Sequence, residues 1–220
     1  MHVIEATELY RFYHSGDMET AALRGVSLQV QAREFVAVMG PSGCGKSTLL
    51  ACLAGLDEPD GGQVHILGQR MSRRRETERA ALRARHIGIL MQSGNLFDHL
   101  TLAGNLRLRM QLPGAHAHSG IDELLEQTGL SGRRHAYPSQ LSGGEAARGG
   151  LAVALCANPS VLLADEPTAE VDSETEGYIL DQLLARRRAG MAMLIVTHSH
   201  GLAAHADRLL TLQDGRLNHD

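Results

Sequence analysis

The chain has 220 residues, 43% of them apolar and 21% charged, with a formal net charge of −4 at pH 7. That length suits one domain with a buried core, and the charge balance excludes a global basic field drawing the chain onto DNA or anionic lipid. Aromatic residues make up 3% and Trp is absent, which argues against a base-stacking nucleic-acid module, so no nucleic-acid partner is expected.

Residues 3–12 alternate loosely and predict a strand, closed by a turn at His14-Ser15-Gly16-Asp17. A second strand is predicted over 22–30 and a third, fully apolar, over 35–39. An Ala/Leu-rich helix follows over 49–56, then a turn cluster at Asp57-Glu58-Pro59-Asp60-Gly61-Gly62. A strand over 64–67, a helix over 76–85 and a strand over 86–91 come next. From about residue 93 to 158 helical patterns dominate, over 100–110, 121–129 and 144–157, with a Gly-rich connector at 113–120. Strands resume at 161–164, 193–196 and 209–212. Between the first two lies a helix over 173–188, expected to be capped by Ser173 with Glu176 three residues on. Asp214-Gly215 reads as a hairpin turn. Apolar strands alternating with helices mean a mainly parallel sheet covered on both faces. With residues 40–48 fitting the phosphate-binding pattern G-x-x-x-x-G-K-[ST] directly after the strand over 35–39, the expected fold class is α/β: a P-loop NTPase core, an N-terminal antiparallel β subdomain and a helical insertion. The expected division is one domain over 1–220, with core and β subdomain at 1–92 and 159–220 and the helical subdomain at 93–158.

Cys44, Cys52 and Cys156 are odd in number and lack framework spacing, which points to a reducing compartment. The N-terminus has no basic region followed by an apolar stretch, so no signal peptide is expected. No run approaches 18 apolar residues, so any membrane role would come through a partner. Arg73-Arg74-Arg75 and Arg186-Arg187-Arg188 read as solvated faces. His116-Ala117-His118 and His198-Ser199-His200 lack the companions of a transition-metal site.

The chemistry centres on Gly40-Pro41-Ser42-Gly43-Cys44-Gly45-Lys46-Ser47-Thr48, which fits G-x-x-x-x-G-K-[ST] between a buried strand and a helix N-terminus. Backbone N–H groups and the helix dipole there suit a phosphate chain. Lys46 would reach the β- and γ-phosphates of ATP and the Ser47 hydroxyl would hold Mg2+. Val161-Leu162-Leu163-Ala164 delivers Asp165 and Glu166 to the end of a buried strand. Asp165 would organise Mg2+ through water, and Glu166 would orient or deprotonate an attacking water. Ser142-Gly143-Gly144-Glu145 opens another helix and makes a second phosphate cradle, while Ser142 and Glu145 also form a capping box. One nucleotide cannot easily use both cradles of a small subunit. The simplest resolution is a dimer whose subunits cover each other's ATP.

With GPSGCGKST, LSGGE and VLLADEP in this order, the chain resembles the nucleotide-binding subunit of an ABC transporter, over nearly its whole length. The resemblance implies an ATPase that dimerises around two Mg-ATP and drives an integral membrane permease. Its place would be cytoplasmic, peripheral on the inner face of the cell membrane. Gln92 would contact Mg2+ and the attacking water, His198 would hydrogen-bond the γ-phosphate, and Ser142 and Gly144 would contact the γ-phosphate held by the opposite subunit. Asp172 matches the family's D-loop aspartate. Tyr13 resembles the aromatic that stacks on adenine, with Phe12 and Tyr10 as rivals. GPSGCGKSTLLACLAGLDEPDGGQV and LFDHLTLAGNL are similar to the lipoprotein-releasing and macrolide-exporting branch, which implies export or lipoprotein release. The alternative is a permease-free ABC-type ATPase acting on nucleic acid or ribosomes. The sequence departs from the family after LSGGE, where polar Gln-Gln-Arg is usual and the run here is Ala146-Ala147-Arg148-Gly149-Gly150. It departs also at Val153, expected to be Arg, at Arg33, expected to be Gly, and at Gly104, expected to be Glu.

Overall fold

The structure is a computed structural model that describes residues 2–16, 18–115, 119–169 and 171–219. His116 and His118, raised above as a histidine pair, lie outside the described residues, as does Asp17 of the first turn.

In chain order the elements are β1 (His2–Ser15), β2 (Met18–Gln31), β3 (Phe35–Met39), α1 (Lys46–Leu53), β4 (Gly61–Ile66), β5 (Gln69–Arg70), α2 (Glu76–His86) and β6 (Ile87–Leu90). Helices α3 (Leu102–Met110), α4 (Ile121–Gln127) and α5 (Gly143–Leu155) follow. The chain then returns to the sheet through β7 (Val161–Asp165), α6 (Ser173–Arg188), β8 (Ala192–Val196), α7 (His200–Ala203), β9 (Arg208–Gln213) and β10 (Arg216–His219).

Six strands form one sheet in the order β10-β9-β3-β8-β7-β6, parallel except for the edge strand β10. Four form an antiparallel sheet in the order β2-β1-β4-β5. The central parallel strands are apolar throughout because both faces are covered. Val36, Val38, Leu163, Leu194 and Val196 join one core with α1 and the antiparallel sheet. Their neighbours Phe35, Ala37, Leu162, Met193 and Ile195 join a second core under α5 and α6. A third, smaller core of Leu102, Leu106, Leu125, Leu130 and Ala152 holds the helices together.

The structure corrects several local expectations. The first two strands are longer than the alternation suggested, and β5 and α7 were not anticipated. Helix α6 is capped by Asp172, whose Oδ1 accepts the Thr175 N–H at 2.8 Å, while Ser173 is the first helical residue. Two capping residue types stand side by side in the sequence, and the backbone turns helical after the first of them. The glycine pair in α5 also gains a reason. A Cβ on Gly150 would lie 2.8 Å from the Cβ of Asn95, and one on Gly149 would lie 3.0 Å from Leu102 Cδ1. Close packing against the segment after β6 thus offsets the helix propensity that two glycines forfeit.

Candidate nucleotide site

The loop between β3 and α1 is fitted to its surroundings by backbone contact. A Cβ on Gly40 would sit 2.0 Å from the Leu212 carbonyl oxygen, and one on Gly45 would sit 2.3 Å from that of Ala22. Only glycine permits both approaches. The Gly215 N–H donates to the Cys44 carbonyl at 3.2 Å, tying the loop to the β9–β10 turn. Lys46 is buried, and its ammonium donates to the carbonyls of Gly40 and Pro41 at 2.8 and 2.9 Å. The loop is therefore held in shape by its own lysine, at the N-terminus of α1.

Parallel pairing of β7 and β8 sets the acidic residues beside this loop. The Ser47 hydroxyl donates to Asp165 Oδ2 at 2.7 Å. Glu166 has φ +48°, in the left-handed region that an L-residue rarely adopts. That backbone is held from several sides. The Glu166 N–H donates to the Val196 carbonyl at 2.9 Å, and Oε2 accepts from Thr197 Oγ1 and the His198 N–H at 3.2 and 3.1 Å. Oε1 is buried without a hydrogen-bond partner and lies 3.6 Å from His198 Nε2. A buried carboxylate with one uncommitted oxygen, next to an imidazole, suits a general base for water.

These groups share one cleft of about 880 Å³. Pro41 to Thr48 line it together with Asp165, Glu166, His198, Gln92 and Tyr13. Of the rivals, Phe12 and Tyr10 are not among its lining residues. Thr20, Ala22, Asp214 and Gly215 also line it and went unnoticed in the sequence. They come from β2 and the β9–β10 turn, far in sequence from the P-loop, so no contiguous motif marks them.

The remaining expected site residues gather elsewhere. Ser142 caps α5, its Oγ accepting the Glu145 N–H at 3.2 Å, and Glu145 returns the bond to the Ser142 N–H at 2.8 Å. Those bonds and a 2.7 Å pair with Arg133 hold the Glu145 carboxyl below the usual carboxylate range. A Cβ on Gly144 would meet Thr175 Oγ1 at 2.6 Å and Asp172 Oδ2 at 3.3 Å. The start of α5 and the cap of α6 are thus packed together, and neither Ser142–Glu145 nor Asp172 lines the cleft of the P-loop. Gly143 instead lines an adjoining groove with Gln92, Ala146 and Val171.

A P-loop on a parallel sheet, a carboxylate pair beside it and a capped LSGGE turn set apart from both define an ATP-binding cassette. Residues 23–169 match the family model described as ABC transporter, and the chain belongs to that family. It is an ATP-binding subunit of an ABC transporter that hydrolyses ATP to power transport.

Among its relatives, the uncharacterized ABC transporter ATP-binding protein YbbA of Escherichia coli K12 is 42% identical over 223 residues, covering 100% of this chain and 98% of the relative. The lipoprotein-releasing system ATP-binding protein LolD of Zymomonas mobilis is 39% identical over 220 residues, covering 98% and 95%. The macrolide export ATP-binding/permease protein MacB of Chlorobium luteolum is 40% identical over 216 residues, 97% of this chain but 32% of that longer protein. Among solved structures, the ATP-binding cassette MJ0796 in a dimeric post-hydrolysis state bound to ADP and Pi superposes with a TM-score of 0.91. It is 32% identical and covers 98% of each chain. These relatives are transporter components by name and lend no support to the permease-free alternative.

Proposed function

We propose that two copies of this chain close around two ATP molecules, each cleft being completed by the Ser142-Gly143-Gly144-Glu145 turn of the opposite copy. The observation that carries this reading is the separation just described: the second phosphate cradle does not line the cleft of its own chain. The dimeric form of the MJ0796 relative supports it. In the closed pair Lys46 and the loop amides hold the β- and γ-phosphates, and Glu166 takes up the water proton as the water attacks. His198 donates to the γ-phosphate, Gln92 senses the nucleotide, Asp172 holds the α6 cap against the α5 turn, and Tyr13 stacks on adenine.

Mg2+ fits the donors present. The Ser47 hydroxyl and the Asp165 carboxylate are hard oxygens already 2.7 Å apart, and Gln92, which lines the same cleft, brings a side-chain oxygen of the same kind. These residues would hold the ion, which when bound supplies charge neutralisation of the phosphate oxygens.

The membrane partner is an integral permease, bound at the cytoplasmic face of the membrane. No helix among the described residues is long and apolar enough to span a bilayer. A groove of about 680 Å³ runs between α2, β6, α3 and α5, lined by Ala80, Ala84, Ile89, Leu112 and Val153, with Phe97 56% exposed beside it. An apolar cytosolic segment of the permease suits it. Residues 93–158 move as the helical subdomain against the core of 1–92 and 159–220, and the groove, lined from both sides of that boundary, changes shape with the motion. The names of the LolD and MacB relatives favour outward transport or lipoprotein release. The test is Glu166→Gln. With saturating ATP and Mg2+ this variant should run as a stable dimer in size-exclusion chromatography with light scattering. A persistent monomer would overturn the reading.

A further inference from the structure

Tyr13 is braced from behind. The Arg11 guanidinium carbon lies 4.6 Å from the centroid of the Tyr13 ring, over its face. Arg11 Nε donates to Asp57 Oδ2 at 2.8 Å, and the Tyr13 hydroxyl donates to the same oxygen at 2.7 Å. Arg11 Nη1 reaches Asp60 Oδ2 at 3.1 Å. The β1–β2 ladder shifts register between Arg11 and Phe12, and the Phe12 N–H donates to Asp60 Oδ2 at 2.7 Å. Such a bulge beside a site re-aims side chains. Arg11 and Asp57 are only 21% and 25% exposed, so the ion pair is partly shielded from water. Burial pushes the Asp57 carboxyl up, but the bonds from Arg11 and Tyr13 outweigh it and leave its pKa below the usual carboxylate value. The Arg11 guanidinium is held charged chiefly by its bond to Asp57. Tyr13 itself is 41% exposed and lines the cleft, while Arg11 is not among the lining residues.

We propose that Arg11, Asp57 and Asp60 are positioning residues that fix the Tyr13 ring, one face on the guanidinium and the other toward the cleft, and so set a preference for purine over pyrimidine triphosphates. The proposal rests on the reading of Tyr13 as the platform for the base. A ring already immobile loses less freedom when a base stacks on it, and a larger base covers more of it. Neither Arg11 nor the acidic pair lines the cleft, so they act through Tyr13 and their effect falls on affinity for the base.

The test compares Arg11→Ala, Arg11→Lys, Asp57→Asn and Tyr13→Ala in the full chain, measuring KM, kcat and the dissociation constant for ATP and CTP. Arg11→Ala should weaken ATP about fivefold, mostly in KM, and CTP less, so that the ATP-to-CTP preference falls. Asp57→Asn should act in the same direction, and Arg11→Lys should recover part of the loss because a cation stays over the ring. A parallel loss for both nucleotides, tracking a fall in thermal midpoint, would mean a structural role alone and overturn the proposal. Tyr13→Ala separates the two readings. If it leaves the ATP-to-CTP preference intact, the platform reading fails. If it erodes the preference while Arg11→Ala and Asp57→Asn do not, the platform stands and the bracing fails.

Discussion

Arg33 stands where the family resemblance leads us to expect glycine, and its φ of +66° shows what a glycine would do there. The turn between β2 and β3 needs a left-handed residue, and an arginine there carries a Cβ close to the following carbonyl. Among the described residues its exposed side chain makes no compensating bond, while its carbonyl accepts from Arg187 Nε at 3.3 Å. Arg33→Gly should therefore stabilise the protein by up to about 1 kcal/mol in urea unfolding, the relief of strain being partly offset by the freer unfolded chain. Glu166 shares the left-handed backbone for a different reason, since its strain aims a carboxylate. Residues of the P-loop were legible in the sequence because the motif is contiguous and every atom it uses lies within nine positions. Asp57, Thr197 and Asp214 were not legible, because what gives them meaning is proximity to Tyr13, Glu166 and the P-loop, from which they stand far apart in the chain.

At the scale of elements, three helical glycines make opposite predictions. Gly177 in α6 is exposed, and a Cβ there would meet nothing within 4 Å. Gly177→Ala should add up to about 1 kcal/mol of stability. Gly150→Ala should instead cost about 1 kcal/mol despite the better propensity, because the new methyl would drive into the Asn95 Cβ at 2.8 Å. Gly149→Ala meets the methyl ends of Leu102, Leu96 and Leu130, at 3.0 Å and beyond, and should fall between them. Urea melts of the three variants give the ranking. Asn95 matters because its amide brackets the strand end before Gln92, accepting the Met91 N–H at 2.8 Å and donating to the Met91 carbonyl at 2.6 Å. The same comparison shows why strands and helices were readable while their ends were not. Apolar runs such as 35–39 and 161–164 announce buried strands by composition alone. The α6 cap depended on which of Asp172 and Ser173 the preceding loop leaves extended, a matter of tertiary placement.

At the scale of the molecule, two sheets and a helical body meet along surfaces that the sequence shows only as changes in pattern. The parallel sheet was legible, since alternating strands and helices with doubly buried strands admit few topologies. The groove below α2 and α3 was not, because its lining comes from four separate elements. If that groove is the permease seat, Phe97→Asp should weaken association with a co-expressed permease at least about tenfold. Pull-down of tagged permease measures this, with a thermal melt confirming that the isolated chain keeps its fold.

The placement of the LSGGE turn away from its own cleft has a consequence for when the chain spends ATP. On the proposed pairing, a copy alone holds nucleotide but lacks part of the machinery, so turnover would depend on meeting a second copy. Tethering two copies to one permease raises their effective concentration for each other far above that of free chains. Hydrolysis would thereby be confined to assembled transporters, leaving stray subunits idle without any separate inhibitor.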